Sequence, residues 1–222
     1  MSGKTLKVGS YNIFHGGLVS FDMSAFAKEI NAKGLDIIGI QEIDQFTTRV
    51  GKIDSLNMLR EACGFEYCGF AKTMDYREGE YGTAIISRHP ITSFETASLP
   101  EDPQNEPRSY GHATIDIDGT EINFFNTHLS LKKRAPQFEA LAEKIKKYNN
   151  CILTGDFNTE DKTEFSPIEK MLILNDKSYP TFTSSGVAID NILISDNFKF
   201  LRSGIGKPGN SDHVMIWAEI EF

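Results

Sequence analysis

The informative residues of this chain are polar groups at the ends of apolar runs. Asn12 ends the first strand-like segment, Gln41-Glu42 closes Ile37–Ile40, and Asn126-Thr127-His128 ends Ile122–Phe125. Gly155-Asp156-Phe157-Asn158 follows Ile152–Thr154, Asp190-Asn191 opens Ile192–Ile194, and Ser211-Asp212-His213 precedes Val214–Ile216. Buried strands tolerate such groups only when they are paired or bind something. Carboxylates, carboxamides and imidazoles are the groups that hold a hard divalent cation, move a proton and donate to a developing oxyanion. Each has an ordinary explanation when taken alone. A Glu after a strand is usually solvated, a lone His is commonly a hydrogen-bonded structural residue, and GDFN is a common turn because Asp and Asn bond their own backbone. The weight lies in six such sites occurring on one domain-sized chain.

Positioning these groups requires interleaved strands and helices. Leu6–Ile13, Leu35–Ile40, Phe65–Phe70, Gly82–Ser87, Ile91–Thr96, Ala113–Ile117, Glu121–Leu129, Cys151–Thr154, Ile189–Ser195 and Val214–Ile220 read as strands. Asp22–Lys33, a segment from Asp54 through Ala62, and Pro136–Tyr148 read as helices, with Asp54 as an N-cap. Many strands, few helices and hairpin-like spacings in the middle favour a layered α/β sandwich over a doubly wound sheet. Pro100–Pro107 is the clearest irregular stretch and lies inside the domain. A single domain over residues 1–222 is expected, because 222 residues can build one large core.

The charge is −8, from 23 Lys plus Arg against 31 Asp plus Glu. That balance speaks against tight, sequence-indifferent adhesion to nucleic acid, which basic residues drive. No stretch is long and apolar enough to span a bilayer and no signal-peptide pattern opens the chain, so a cytoplasmic location is the default, with secretion open if a leader was removed. Cys63, Cys68 and Cys151 match no zinc spacing and are expected to be buried, reduced thiols. No dimerisation heptad is present, and a monomer is the default.

The order of the motifs resembles the endonuclease/exonuclease/phosphatase superfamily. The matching segments are SYNIFHG at 10–16, IQE at 40–42, YGTAIISRHPI at 81–91, NTHLS at 126–130, TGDFN at 154–158, AIDNILIS at 188–195 and NSDHVMI at 210–216. They span nearly the whole chain. The resemblance implies a four-layer αββα sandwich of two packed mixed β-sheets flanked by helices. It also implies a divalent-metal-dependent phosphoesterase.

Phosphoester hydrolysis needs a cation, an activated water, donors for negative charge and help for the leaving oxygen. Glu42 is the first choice of metal ligand, since a carboxylate at a strand end suits Mg²⁺ or Mn²⁺. The resemblance adds Asn12 and Asp212 as direct or water-mediated partners. Some relatives carry an acid at the position of Phe14, so one possible ligand is missing and a single hydrated ion is expected. His213 is a candidate general base or phosphate-stabilising imidazole, and the resemblance pairs it with Asp190. Asp156 is the other candidate base, and Asn158 offers an amide donor. His128 stands where relatives place a phosphate-binding side chain. Arg108 and Arg49 are candidate substrate contacts, since a guanidinium clamps phosphate bidentately.

The chain leaves little room for DNA-gripping insertions: about twenty residues separate Ser130 from Thr154 and about thirty separate Asn158 from Asp190. Of its basic residues, Lys132–Arg134 are best placed to meet an anionic substrate. A small or modest-sized phosphoester or phosphodiester is the expected substrate, with a DNA or RNA nuclease as the alternative. A non-catalytic binding module on the same fold would have lost key residues, whereas Glu42, Asp156, Asn158, Asp190, Asp212 and His213 are all present.

Overall fold

A computed structural model describes residues 3–100 and 105–222. Its strand sequences show why several runs are apolar at every position. Ile37 and Ile38, Phe124 and Phe125, and Leu153 with its neighbour Ile152 each send one side chain between two sheets and the next toward flanking helices. Strands covered on both faces lose the apolar–polar alternation.

The elements, among the described residues, run β1 (Thr5–Asn12), α1 (Met23–Lys33), β2 (Ile37–Gln45), α2 (Ser55–Cys63), β3 (Tyr67–Tyr76), β4 (Gly79–Ser87), β5 (Ile91–Ser98), β6 (Ser109–Ile117), β7 (Thr120–His128), α3 (Ala135–Ile145), β8 (Cys151–Asp156), β9 (Met171–Ile173), β10 (Asp190–Ser195), β11 (Lys199–Ile205) and β12 (Ile216–Glu221). One six-stranded sheet has the order β11-β12-β1-β2-β4-β3, the other β5-β6-β7-β8-β10-β9. Each is antiparallel except for one central parallel pair, β1–β2 and β7–β8. Parallel neighbours need a crossover, and α1 and α3 supply it. Helices α1 and α2 cover the outer face of the first sheet through Phe26, Ile30, Leu56 and Leu59; α3 covers the second through Phe138 and Leu141. The expected αββα sandwich is what forms. No helix among the described residues is long and apolar enough to cross a membrane.

Local chemistry explains the helix ends. Asp22 accepts a hydrogen bond from the Ser24 N–H, Asp54 from the Asn57 N–H, and Gly34 and Gly64 close the helices in left-handed conformations. Two strands were not anticipated, β9 and β11, both at sheet edges. The irregular stretch expected at 100–107 falls partly outside the described residues. Cys63 and Cys151 are buried as expected, whereas Cys68, on edge strand β3, is exposed.

A buried polar network joins the sheets. Asn126 of β7 donates its amide to the carbonyls of Ile40 (2.8 Å) and Ala84 (2.9 Å), and its oxygen accepts from Gln41 Nε2 (2.6 Å) and Thr154 Oγ1 (3.0 Å). Gln41 also donates to Ser10 Oγ at 3.0 Å. Gly39 leaves space for it: a Cβ there would lie 2.3 Å from Thr154 Oγ1 and 2.4 Å from Asn126 Oδ1. The β2–β4 ladder slips between Ile40 and Ile43, a bulge that frees backbone groups for the Asn126 amide and turns Glu42 out of the ladder at φ +54°. For a Glu that is a costly conformation, retained where the surroundings impose it.

Candidate active site

The site forms where the carboxyl ends of the two parallel pairs meet. Asn12 is the last residue of β1, His128 of β7 and Asp156 of β8, while Glu42 projects from the β2 bulge. Asp190 opens β10 opposite Asp156, and His213 lies in the segment leading into β12.

Asn12 is the hub. It is fully buried, and its Nδ2 lies 3.0 Å from Glu42 Oε1, 3.0 Å from Asp156 Oδ2 and 3.5 Å from His213 Nε2. Its Oδ1 accepts from the Phe14 N–H at 3.0 Å, which orients the amide so that its donors face the two carboxylates. Ser211 Oγ donates to the Asn12 carbonyl (2.8 Å) and so ties the His213 segment to β1.

His213 lies between two acids. Its Nδ1 is 2.7 Å from Asp190 Oδ2, and its Nε2 is 3.6 Å from Asp156 Oδ2. Burial disfavours the imidazolium, but the charge and hydrogen bond of Asp190, aided by Asp156 and Asp212, overcome it and raise the His213 pKa to about 10. The Asp156 carboxyl moves upward as well: burial and the neighbouring Asp190 charge favour its protonated form, against the pull of His213 and the Asn12 amide. Burial also raises Glu42, with the Asn12 hydrogen bond opposing it.

His128 behaves in the opposite way. Burial, then Arg108 and His213, hold its pKa well below that of free histidine, so it is neutral. Arg108 Nη1 lies 3.4 Å from His128 Nδ1, and a guanidinium can only donate. The His128 Nε2 lies 3.1 Å from Asn158 Nδ2, which likewise can only donate, and 3.4 Å from Asp156 Oδ2. Asn158, at φ +51°, fixes Asp156 through its backbone N–H (2.9 Å to Oδ1) and gives its side-chain amide to the Leu129 carbonyl at 2.9 Å.

Asp212 is half-buried beside His213; its carbonyl accepts from the N–H and hydroxyl of Thr183, and its Oδ1 accepts from Ser211 Oγ. Two features fit a divalent cation. The second oxygen of Glu42 has no hydrogen-bond partner among the described residues, and Asp190 Oδ1 is buried without one. Ligand atoms of Asp156, Asp190 and His213 also fall within 4.8 Å of one another. The 2.7 Å His213–Asp190 bond commits two members of that trio to each other, which leaves Glu42 and Asp212 as the freer oxygen donors.

The two arginines are more constrained than free phosphate clamps. Arg49 forms a fork to the fully buried Asp44, with Nε 2.9 Å from Oδ2, and its guanidinium stacks on Tyr76 (4.6 Å) and Tyr81 (5.6 Å). Arg108 is buried and paired with Glu106. Arg134, expected to face substrate, instead pairs with Glu164 through Nε (2.9 Å) and Nη2 (2.7 Å) and bonds the Ser130 and Leu131 carbonyls, because it anchors the start of α3. Phe14, His15, Met74, Tyr76, Tyr81 and Glu106 join Glu42, Arg49, Arg108 and His128 around a cleft of about 170 Å³. Of these added residues, Phe14, His15 and Tyr81 lie within matching motifs without a binding role assigned to them; Met74, Tyr76 and Glu106 lie outside the motifs.

The sequence matches the Endonuclease/Exonuclease/phosphatase family over residues 9–213. The chain belongs to the endonuclease/exonuclease/phosphatase family. No curated protein matches it in sequence. Among solved structures, a family protein from Beutenbergia cavernae is similar with a TM-score of 0.82 at 19% identity, covering 99% of this chain and 72% of its own. A mannosyl-6-phosphatase from Bacteroides thetaiotaomicron gives 0.79 at 21%, covering 98% and 100%. D. rerio TDP2 complexed with a single-strand DNA product gives 0.76 at 16%, covering 99% and 100%. These likenesses establish the fold. Within the family's hydrolytic phosphoesterases, both phosphatases and nucleases share it.

Proposed function

We propose that this protein is a divalent-metal-dependent phosphoesterase acting on a small phosphoester. The observation that carries the reading is the Asn12 hub, where one buried amide binds Glu42 of the first sheet and Asp156 of the second within 3.0 Å of each. Glu42, with Asp212, would hold Mg²⁺ or Mn²⁺, which supplies Lewis-acid stabilisation to a phosphate oxygen when bound.

The remaining work belongs to the chain. His213 has a carboxylate at each ring nitrogen, so it acts as a charged donor to phosphate rather than as a base. Asp156 then takes the proton of the attacking water, oriented by the Asn158 N–H and the Asn12 amide. The Asn158 amide, beside neutral His128, supplies an uncharged donor at the phosphate.

A small substrate is supported by the size of the cleft and by the net charge, which works against steering a polyanion. A nuclease is the second reading, supported by the fold shared with TDP2. Turnover of p-nitrophenyl phosphate, bis-p-nitrophenyl phosphate and supercoiled plasmid with Mg²⁺ or Mn²⁺ separates the two. Efficient plasmid cleavage without turnover of small esters overturns the preferred reading. Glu42→Gln and His213→Ala should each lower kcat at least about a hundredfold while the circular dichroism spectrum is retained. Full activity in both variants would show that the site is misassigned.

A further inference from the structure

The cleft beside Glu42 and His128 has its own chemistry. Its volume, about 170 Å³, is below the roughly 300–1,000 Å³ of drug-sized pockets, enough for a single ring. Phe14, Met74, Tyr76 and Tyr81 give it apolar walls.

Its polar groups are of mixed sense. Arg108 Nε and His15 Nδ1 are both buried without a hydrogen-bond partner. Glu42 and Glu106 add carboxylate acceptors. Buried polar atoms without partners need an explanation, and a ligand group that both donates and accepts is one.

Charge narrows the choice. Each arginine lining the cleft is already paired, Arg49 with Asp44 and Arg108 with Glu106. Arg77 stacks on the Tyr76 ring at 5.4 Å and does not line the cleft. With Arg49 and Arg108 both committed to carboxylates, no arginine of the cleft lining is left to take a second phosphate. An uncharged group carrying hydroxyls satisfies the donors and acceptors together.

We infer that this cleft is the leaving-group subsite for a phosphomonoester of a compact, uncharged, polyhydroxylated ring, read by His15 and Glu106. The inference rests on the phosphoesterase reading above and narrows it. His15 is well suited to the task because it is fixed: Phe14, His15 and Gly16 all have positive φ (46°, 45° and 79°), and the His15 ring packs against Phe14 at 4.5 Å. A site built to bond hydroxyls discriminates strongly against analogues that lack them, because its own polar groups are then left unpaired.

The test compares kcat/KM, with Mg²⁺, for hexose 6-phosphates, their deoxy analogues, p-nitrophenyl phosphate and a dinucleotide phosphodiester. The wild type should prefer a hexose phosphate over the dinucleotide by at least about a hundredfold and lose about tenfold or more on removal of a contacted hydroxyl. His15→Phe keeps the ring and its packing, and Glu106→Gln keeps the shape. Each should lower the ratio of hexose phosphate to p-nitrophenyl phosphate turnover about tenfold or more, mainly through KM for the hexose phosphate. An unchanged ratio in both variants, or preference for the dinucleotide, overturns the subsite while leaving phosphoester hydrolysis in place. Absence of turnover on every ester overturns both readings.

Discussion

Gly39→Ala tests how the two halves of the site are held in register. The added Cβ would lie 2.3 Å from Thr154 Oγ1, 2.4 Å from Asn126 Oδ1 and 2.6 Å from Asn126 Cγ, and all of these atoms are buried. Neither side chain is a flexible surface group that can swing away: Asn126 is fixed by the Ile40 and Ala84 carbonyls and by Gln41. Overpacking a close-packed interior costs about 1–3 kcal/mol. Breaking the Thr154–Asn126 bond and straining one more leaves buried polar atoms unpaired, at about 1–3 kcal/mol each. The expected loss is about 3–5 kcal/mol, or roughly 6–20 °C in Tm for a domain of this size. The loss of activity should be larger than the loss of folded protein explains, because Asn126 also caps the bulge that aims Glu42, and a displacement of about 1 Å in a catalytic group costs on the order of a hundredfold. Thermal denaturation and ester turnover on the same preparation measure both. Gly119→Ala is the control: it has positive φ (+83°) and nothing within 4 Å of its Cβ position, so it should cost about 1 kcal/mol and no activity. A Gly39→Ala protein within 1 kcal/mol of the parent and fully active would refute the argument, as would equal damage from Gly119→Ala.

Two further outcomes follow from the ionisable groups. The His213 pKa is raised from 6.5 in the unfolded chain to about 10 in the folded one, so its contribution to stability is complete below about pH 6.5 and is lost as pH rises toward 10. In EDTA, Tm should therefore fall across that window, and Asp190→Asn should flatten the slope; an unchanged slope would mean that Asp190 does not hold the imidazolium. For the thiols, burial raises Cys63 to about 12 and Cys151 to about 11 and also raises Cys68, the one of the three that is exposed to reagent. Ellman's reagent should titrate one thiol per native chain, removed by Cys68→Ser, and three after denaturation.

The sequence displayed the parts of this fold that repeat a physical pattern. Strands covered on both faces show as apolar runs, and capped helices show as Asp before and Gly after a periodic segment. Strand β11 escaped because Lys199–Arg202 is exposed and no core stripe marks it, and β9 because three residues carry no period. Strand β6 starts at Ser109 rather than at Ala113 because it pairs with β7 as far as Tyr110↔Thr127, and a polar start gives no local sign of that pairing. The site residues were visible as polar groups at strand ends, but their division of labour was not. Gln41 and Asn126 occupy the same kind of position as Glu42 and His128, yet they join the sheets, and that distinction exists only once the sheets are stacked. Arg134 follows a catalytic motif in sequence but is bound by Glu164, thirty residues on.

The order of strands bears on how the protein is made. The second sheet is built wholly from residues between Ile91 and Ser195, whereas the first takes β1 to β4 from one side of that block and β11 and β12 from the other. On a ribosome, the second sheet can complete itself while β1 still lacks the partner that will cover its open edge. Strand β12 and the segment carrying His213 follow the whole second sheet in chain order, and β12 pairs with β1. A nascent chain would thus hold Glu42, His128 and Asp156 before the segment that carries His213 is made. Under the proposed function, hydrolysis waits for His213 and for the pairing of β12 with β1.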